Sequence, residues 1–219
     1  MIRSAPAGRR RRQDASRPAG RTSRTVAGAS LTEVLAIVAL LGILAGLGSG
    51  PLLAALGRVR LRSAAAELAA RMRAARHAAV TRACSVGLRF EPENGGWRVA
   101  HYRDGDGDGM RSDDIARGVD RPFGIPYRPG DGRGGIRFGI PAGRVFPRIP
   151  PSRGSLQSDD DPIQFGSSNI ASFSPLGDAT SGTAYLTDEE SRLAAVVVFG
   201  ATSRVRILLF DPVTGEWRE

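Results

Sequence analysis

The run Val34-Leu-Ala-Ile-Val-Ala-Leu-Leu-Gly-Ile-Leu-Ala-Gly-Leu47 decides how the rest of the chain is read. From Ala29 to Gly57 the only charged side chain is Glu33, so this segment is long and apolar enough to enter a bilayer. Beyond it Leu61, Ala65, Leu68, Met72, Ala75 and Ala79 recur at steps of three and four, interleaved with Arg62, Glu67, Arg71, Arg73 and Arg76. That is the pattern of a helix with one apolar stripe. The spacing predicts one helix from about Ser30 to about Arg82, transmembrane over residues 29–57 and amphipathic over 58–82. Pro51 and the nearby glycines are the natural place for a bend.

Working outward toward the N-terminus, residues 1–28 hold eight arginines against Asp14, which is +7 of the formal +9 of the chain. Such a segment has too few large apolar side chains to offset the entropy of folding, and it reads as a disordered basic leader. Its arginines hold the N-terminus in the cytoplasm and direct everything after the helix to the other side. With the leader removed the formal charge falls to +2, and the nucleic-acid signature of a basic chain largely goes with it.

Toward the C-terminus the pattern changes to alternation. Val86, Leu88 and Phe90, a Glu-Pro-Glu-Asn-Gly-Gly turn, then Trp97 and Val99 read as a β-hairpin. Residues 103–162 are rich in Gly, Pro and Asp, with one short strand candidate at 135–140, and read as a long loop region with little core of its own. Strands are expected again near 170–173, 183–186, 193–199 and 204–210. The fold class is therefore α+β, a mainly antiparallel β domain over residues 83–219 packed on the stripe of a long N-terminal helix. Cys84, the only cysteine, reads as a buried structural thiol with no disulfide to make. His77 and His101 are too isolated to suggest a zinc site or an acid-base pair.

Asp104-Gly-Asp106-Gly-Asp108-Gly-Met110 has the alternate carboxylates and turn glycine of the first half of a calcium loop. Asp104, Asp106 and Asp108 would converge on one hard cation, with the Met110 carbonyl as a further oxygen. A standard loop closes with Glu at its twelfth position, which here is Ile115, so Asp114, or failing it Asp113, would close the shell of a structural Ca2+ site over residues 104–115. The competing reading is a solvated acidic loop, as for Asp159-Asp160-Asp161. No Ser/His/Asp set, Cys/His pair, phosphate loop or HExxH motif is present, which argues against an enzyme.

The junction Val-Ala-Gly28-Ala29-Ser-Leu-Thr-Glu33, between an arginine-rich leader and an apolar helix, resembles the processing site of type IV pilins and type II secretion pseudopilins. The resemblance implies cleavage by a prepilin peptidase after Gly28 and N-methylation of the new N-terminal residue, Ala29, where the family usually has Phe. It also implies that Glu33 attracts the N-terminal amine of a neighbouring subunit, which would offset the cost of a carboxylate in an apolar helix. Phe173-Ser-Pro-Leu-Gly177 through Gly182-Thr-Ala-Tyr-Leu186, and Val197-Val-Phe-Gly200 through Arg204-Val-Arg206-Ile, are similar to the closing strands of the GspH/FimT family of minor pseudopilins and pilins. Ser203 stands where that family often has Gly. The likeness covers residues 28–90 and 173–207 and leaves the middle unmatched.

The resemblance implies a subunit assembling noncovalently with other pseudopilins or pilins near a filament tip, on an inner-membrane assembly platform, its β domain in the periplasm. A DNA-binding tip subunit, with Arg204 and Arg206 as contacts and Arg218 as a further candidate, is the second reading. A single-pass anchored periplasmic calcium-binding domain with no assembly role is the third, and an ordinary secretory signal is disfavoured because the apolar run is longer than a usual signal core.

Overall fold

The computed structural model describes residues 30–129, 135–188 and 190–219, with backbone alone for residues 44, 45 and 47–54. It divides into two compact units, one ending at Leu47 and one spanning Gly48–Glu219.

Helix α1, Leu31–Arg82, passes through Pro51 without a break. Its start is set by Ser30, whose Oγ accepts the Glu33 N–H at 3.2 Å while its carbonyl accepts the N–H groups of Glu33 and Val34. Ser followed three residues later by Glu is the sequence of a capping box. In the first unit Leu31, Val34, Leu35, Ile37, Val38, Leu40, Leu41 and Ile43 are all exposed. In the second unit Leu61, Ala64, Ala65, Leu68, Ala69, Met72, Ala75 and Ala79 are buried, so the stripe read from the sequence is the face that packs. The helix ends where Ala83 turns to a φ of 50°. Among the described residues no helix is long and apolar enough to cross a membrane. Part of the span expected over 29–57 lies outside the description, namely Ala29 and the side chains of 44, 45 and 47–54.

Strands β1 (Val86–Glu93) and β2 (Gly96–Arg103) pair in register up to Glu93 opposite Gly96. Only Asn94 and Gly95 are left in the turn, both at positive φ (49° and 77°), as a type I′ turn requires. A short helix α2 (Ser112–Arg117) then leads into β3 (Arg121–Tyr127). Next come β4 (Arg137–Phe138), β5 (Phe146–Pro147), β6 (Ser155–Leu156) and β7 (Ile163–Gln164). The chain closes with β8 (Ile170–Phe173), β9 (Gly182–Thr187), β10 (Leu193–Phe199), β11 (Arg204–Asp211) and β12 (Glu216–Arg218). One antiparallel sheet runs β3-β2-β1-β8 and a second β12-β11-β10-β9-β4, with β7 also beside β9; β5 and β6 form a separate pair. The four strands expected in the C-terminal half are present, within a residue or so at each end.

The larger core lies between the α1 stripe and the sheets, where Leu68, Met72, Val86, Leu88, Phe90, Phe138, Phe165, Phe173 and Val196 are buried together. Phe90 stacks on Phe165 and meets Phe138 edge-on, both at 5.5 Å between centroids. Strand β10 is buried on both faces: Ala194, Val196 and Val198 face this core, and Leu193, Ala195 and Val197 face a second one. That is why its sequence is a continuous apolar run instead of an alternation.

Residues 103–162, read as a loop region with little core of its own, contribute to a second core shared with the β9-β10-β11 sheet. Ile140, Phe146 and Leu156 cover the far face of the β9-β10-β11 sheet, against Tyr185, Leu193 and Leu208. Trp217 Nε1 donates to the Pro147 carbonyl at 2.8 Å and fastens this cover to β12. Tyr127, Ile136 and Phe138 from the same region belong to the larger core.

Candidate calcium loop and assembly residues

The aspartate loop leaves the end of β2 and returns through α2 to β3. Asp104 is buried and serves the loop's own backbone: Oδ1 accepts the N–H groups of Asp106 (3.1 Å) and Gly107 (2.7 Å), and Oδ2 accepts that of Gly109 (2.9 Å). Asp106 Oδ1 accepts the Asp108 N–H at 3.4 Å. Asp104 is buried and Asp106 and Asp108 are exposed, and ligand atoms of the three lie within 4.8 Å of one another. Two oxygens each bound to one calcium at about 2.3–2.6 Å are at most about 5 Å apart, so the spacing of this donor set fits a calcium ion. Desolvation raises the Asp108 carboxyl above its ordinary pKa, Asp106 and Asp114 add to the rise, and Arg111, 2.8 Å away, opposes it.

Asp114 does not join the three. It is buried in α2 and ion-paired with Arg117. Met110 is half-buried, and its side chain lies against β1, where a Cβ on Gly87 would come 3.1 Å from Met110 Cγ. Sequence reasoning missed Asp120, which is fully buried and closes the loop, accepting the N–H groups of Gly105 at 3.1 Å and Arg111 at 3.2 Å. A lone Asp immediately before a strand was the signal available.

Gly28 and Ala29 lie outside the described residues. Glu33 is exposed in the first turn of α1, where a carboxylate is also favoured by the helix dipole. Arg204 is exposed, but Arg206 is held by Glu219 through two hydrogen bonds of 3.0 and 2.5 Å, and Arg218 lies 3.3 Å from Asp211. Two of the three candidate phosphate contacts are thus already paired. Cys84 is half-buried, not buried.

Ser203, the departure from the family glycine, sits at a φ of 49° in the left-handed region. Its buried Oγ donates to the Gly177 carbonyl at 2.5 Å, so the two C-terminal stretches that carry the resemblance are joined to each other.

Neither a curated protein nor a solved structure matches this chain. Residues 64–147 match the family model of the type II transport protein GspH. The match runs from the buried stripe of α1 through the aspartate loop to β5; it takes in the middle region that the resemblance left out and stops short of residues 173–207. It covers less than half of the chain, and over that segment the sequence is similar to the type II transport protein GspH.

Proposed function

We propose that the chain is a minor pseudopilin that assembles noncovalently into a type II secretion pseudopilus, near its tip. The observation that carries this reading is the division of α1: one continuous helix whose first part exposes its apolar side chains and whose second part is packed into a β domain. Exposed Leu, Ile and Val in that number need an apolar environment, either a bilayer before assembly or the helices of other pseudopilins after it. In this account the precursor sits in the bacterial inner membrane as a single-pass protein with the β domain in the periplasm. A prepilin peptidase cuts after Gly28, the Ala29 amine is methylated, and Glu33 of an adjacent subunit pairs with that amine on the assembly platform.

Mass spectrometry of the membrane-extracted protein tests the processing. A methylated chain starting at Ala29 is expected; an intact leader, or cleavage beyond residue 45, would overturn the reading. Co-purification with other pseudopilins, reduced in Glu33→Ala, tests assembly.

A structural calcium ion in the aspartate loop is a second proposal, supported by the spacing of the three carboxylates. Asp104, Asp106 and Asp108 would hold it and Arg111 would release Asp108, so the ion would tie the loop to β2.

A further inference from the structure

Beside the aspartate loop, a hollow of about 890 Å³ opens between the end of α1, the end of β2 and the start of β3. Four arginines line it, Arg82, Arg103, Arg117 and Arg121, with Asp104 as the one lining carboxylate and Cys84 in its wall. Arg103 and Arg121 are directly opposite in the antiparallel pairing of β2 with β3. Side chains at such positions leave the sheet on the same face with Cβ atoms about 5 Å apart, and like charges there are destabilising. Arg117 is paired with Asp114. Among the described residues, Arg82, Arg103 and Arg121 have no carboxylate partner, and Arg82 is held only over the Phe123 ring, 5.5 Å from its centroid.

A facing pair of arginines with a third beside them is only partly offset by Asp104, whose oxygens accept the loop's own N–H groups. The lining groups, with Arg117 neutralised by Asp114, carry a formal +2. We propose that this hollow binds a phosphoryl group: a tetrahedral oxyanion of about −1.5 to −2 charge at neutral pH whose oxygens are shared between the guanidinium groups of Arg103 and Arg121, with Arg82 closing the third side. A single carboxylate would be satisfied by one guanidinium fork and would leave the opposing pair uncompensated. The phosphoryl group is that of a small phosphate monoester; a nucleic-acid backbone diester carries one charge on two free oxygens and would leave the opposing pair undercompensated, as a carboxylate would. The proposal does not rest on filament assembly; because Asp104 both lines the hollow and belongs to the aspartate loop, the test is made without calcium.

The test uses the full chain in detergent without added calcium, melted in phosphate and in chloride of equal ionic strength. Phosphate is expected to raise the melting temperature by roughly 5 °C at a hundredfold excess over Kd. Arg103→Gln and Arg121→Gln are expected to lose that rise while melting no lower than the parent in chloride, because each removes half of a repulsive pair. Cys84, the only thiol, gives a second reading: phosphate should slow its reaction with a dianionic aromatic disulfide, and the two substitutions should remove that protection without changing its reaction with neutral iodoacetamide. Protection by glycerol phosphate but not by a short DNA duplex at equal phosphate concentration upholds a monoester site; equal protection by the duplex would mean general attraction to the arginines and would overturn it. Equal melting in phosphate and chloride, or a phosphate effect that survives both substitutions, overturns it.

Discussion

The two parts of α1 differ in composition and meet opposite fates, the more apolar part being the one that is exposed. In the first unit, leucines, isoleucines and valines are exposed on every side of the helix; in the second, a stripe of alanines with Leu61, Leu68 and Met72 is buried, while most of its arginines lie outside that stripe. The difference teaches that hydrophobic content alone does not tell where a helix packs. The periodicity does, because a stripe three to four residues apart can be matched by one sheet face, whereas an all-round apolar surface needs a partner on every side.

The largest expected effect comes from exchanging one leucine in each part. Leu68 is fully buried, and Leu68→Ala should cost about 2–5 kcal/mol through lost burial and a residual cavity, lowering the melting temperature of the detergent-solubilised chain by about 5–15 °C. Leu40→Ala should change it by no more than about 0.5 kcal/mol. Equal losses would break the comparison, for they would mean that the first part is packed within the protein itself.

The alanines sharpen the same contrast. Ala65 is fully buried and Ala39 is exposed. Ala65→Leu should overfill the interface and cost about 1–3 kcal/mol, while Ala39→Leu should be silent in denaturation measurements. A silent Ala65→Leu would show that the sheets do not approach the stripe closely.

How much of this was readable beforehand follows from the same physics. The stripe and the β1–β2 hairpin were legible because each repeats a period over six or more residues, and β10 because it is a continuous apolar run. The cover over the second core was not: β5 and β6 are two residues long, too short to alternate, and Leu156 is a single apolar residue between Ser155 and Gln157. In the loop, the alternate aspartates marked three converging carboxylates, but the register that places Asp114 in α2 and brings Asp120 underneath is set by tertiary contacts. Ser203 reads in sequence as a departure from the family glycine; only the Gly177 carbonyl beneath it explains how a serine is tolerated at positive φ.

A more modest effect is expected from calcium. If the three carboxylates hold an ion, millimolar calcium should raise the melting temperature relative to chelator, by mass action, and Asp106→Asn should abolish the rise. Hydrogen exchange sharpens the comparison here, since protection should increase in β2 and the second part of α1 and stay unchanged before Leu47. No calcium dependence of melting would sink the metal proposal, leaving the loop closed by Asp104 and Asp120 alone.

The smallest effect lies where the packed part of α1 begins. A Cβ on Gly57 would come 2.4 Å from Arg192 Nη1, and that same nitrogen lies 2.5 Å from Asp188 Oδ2. Burial alone would raise the Asp188 carboxyl, but the backbone N–H and guanidinium of Arg192 and the Ser191 N–H outweigh it, and its pKa is lowered on balance. A lowered folded pKa contributes stability that is fully present above the ordinary Asp value of about 3.9 and is lost as the pH falls through the folded value. Gly57→Ala should gain up to about 1 kcal/mol of helix propensity and lose part of that ion pair, because the displaced atom is the free end of a flexible side chain. Near neutral pH the two should nearly cancel; below about pH 4 the substituted chain should lose less stability than the parent. Asp188→Asn, which removes the titration outright, should erase the difference between the two pH profiles. If Gly57→Ala instead leaves the acid profile unchanged, Arg192 can hold Asp188 without resting on α1, and the packed part of the helix begins nearer Leu61.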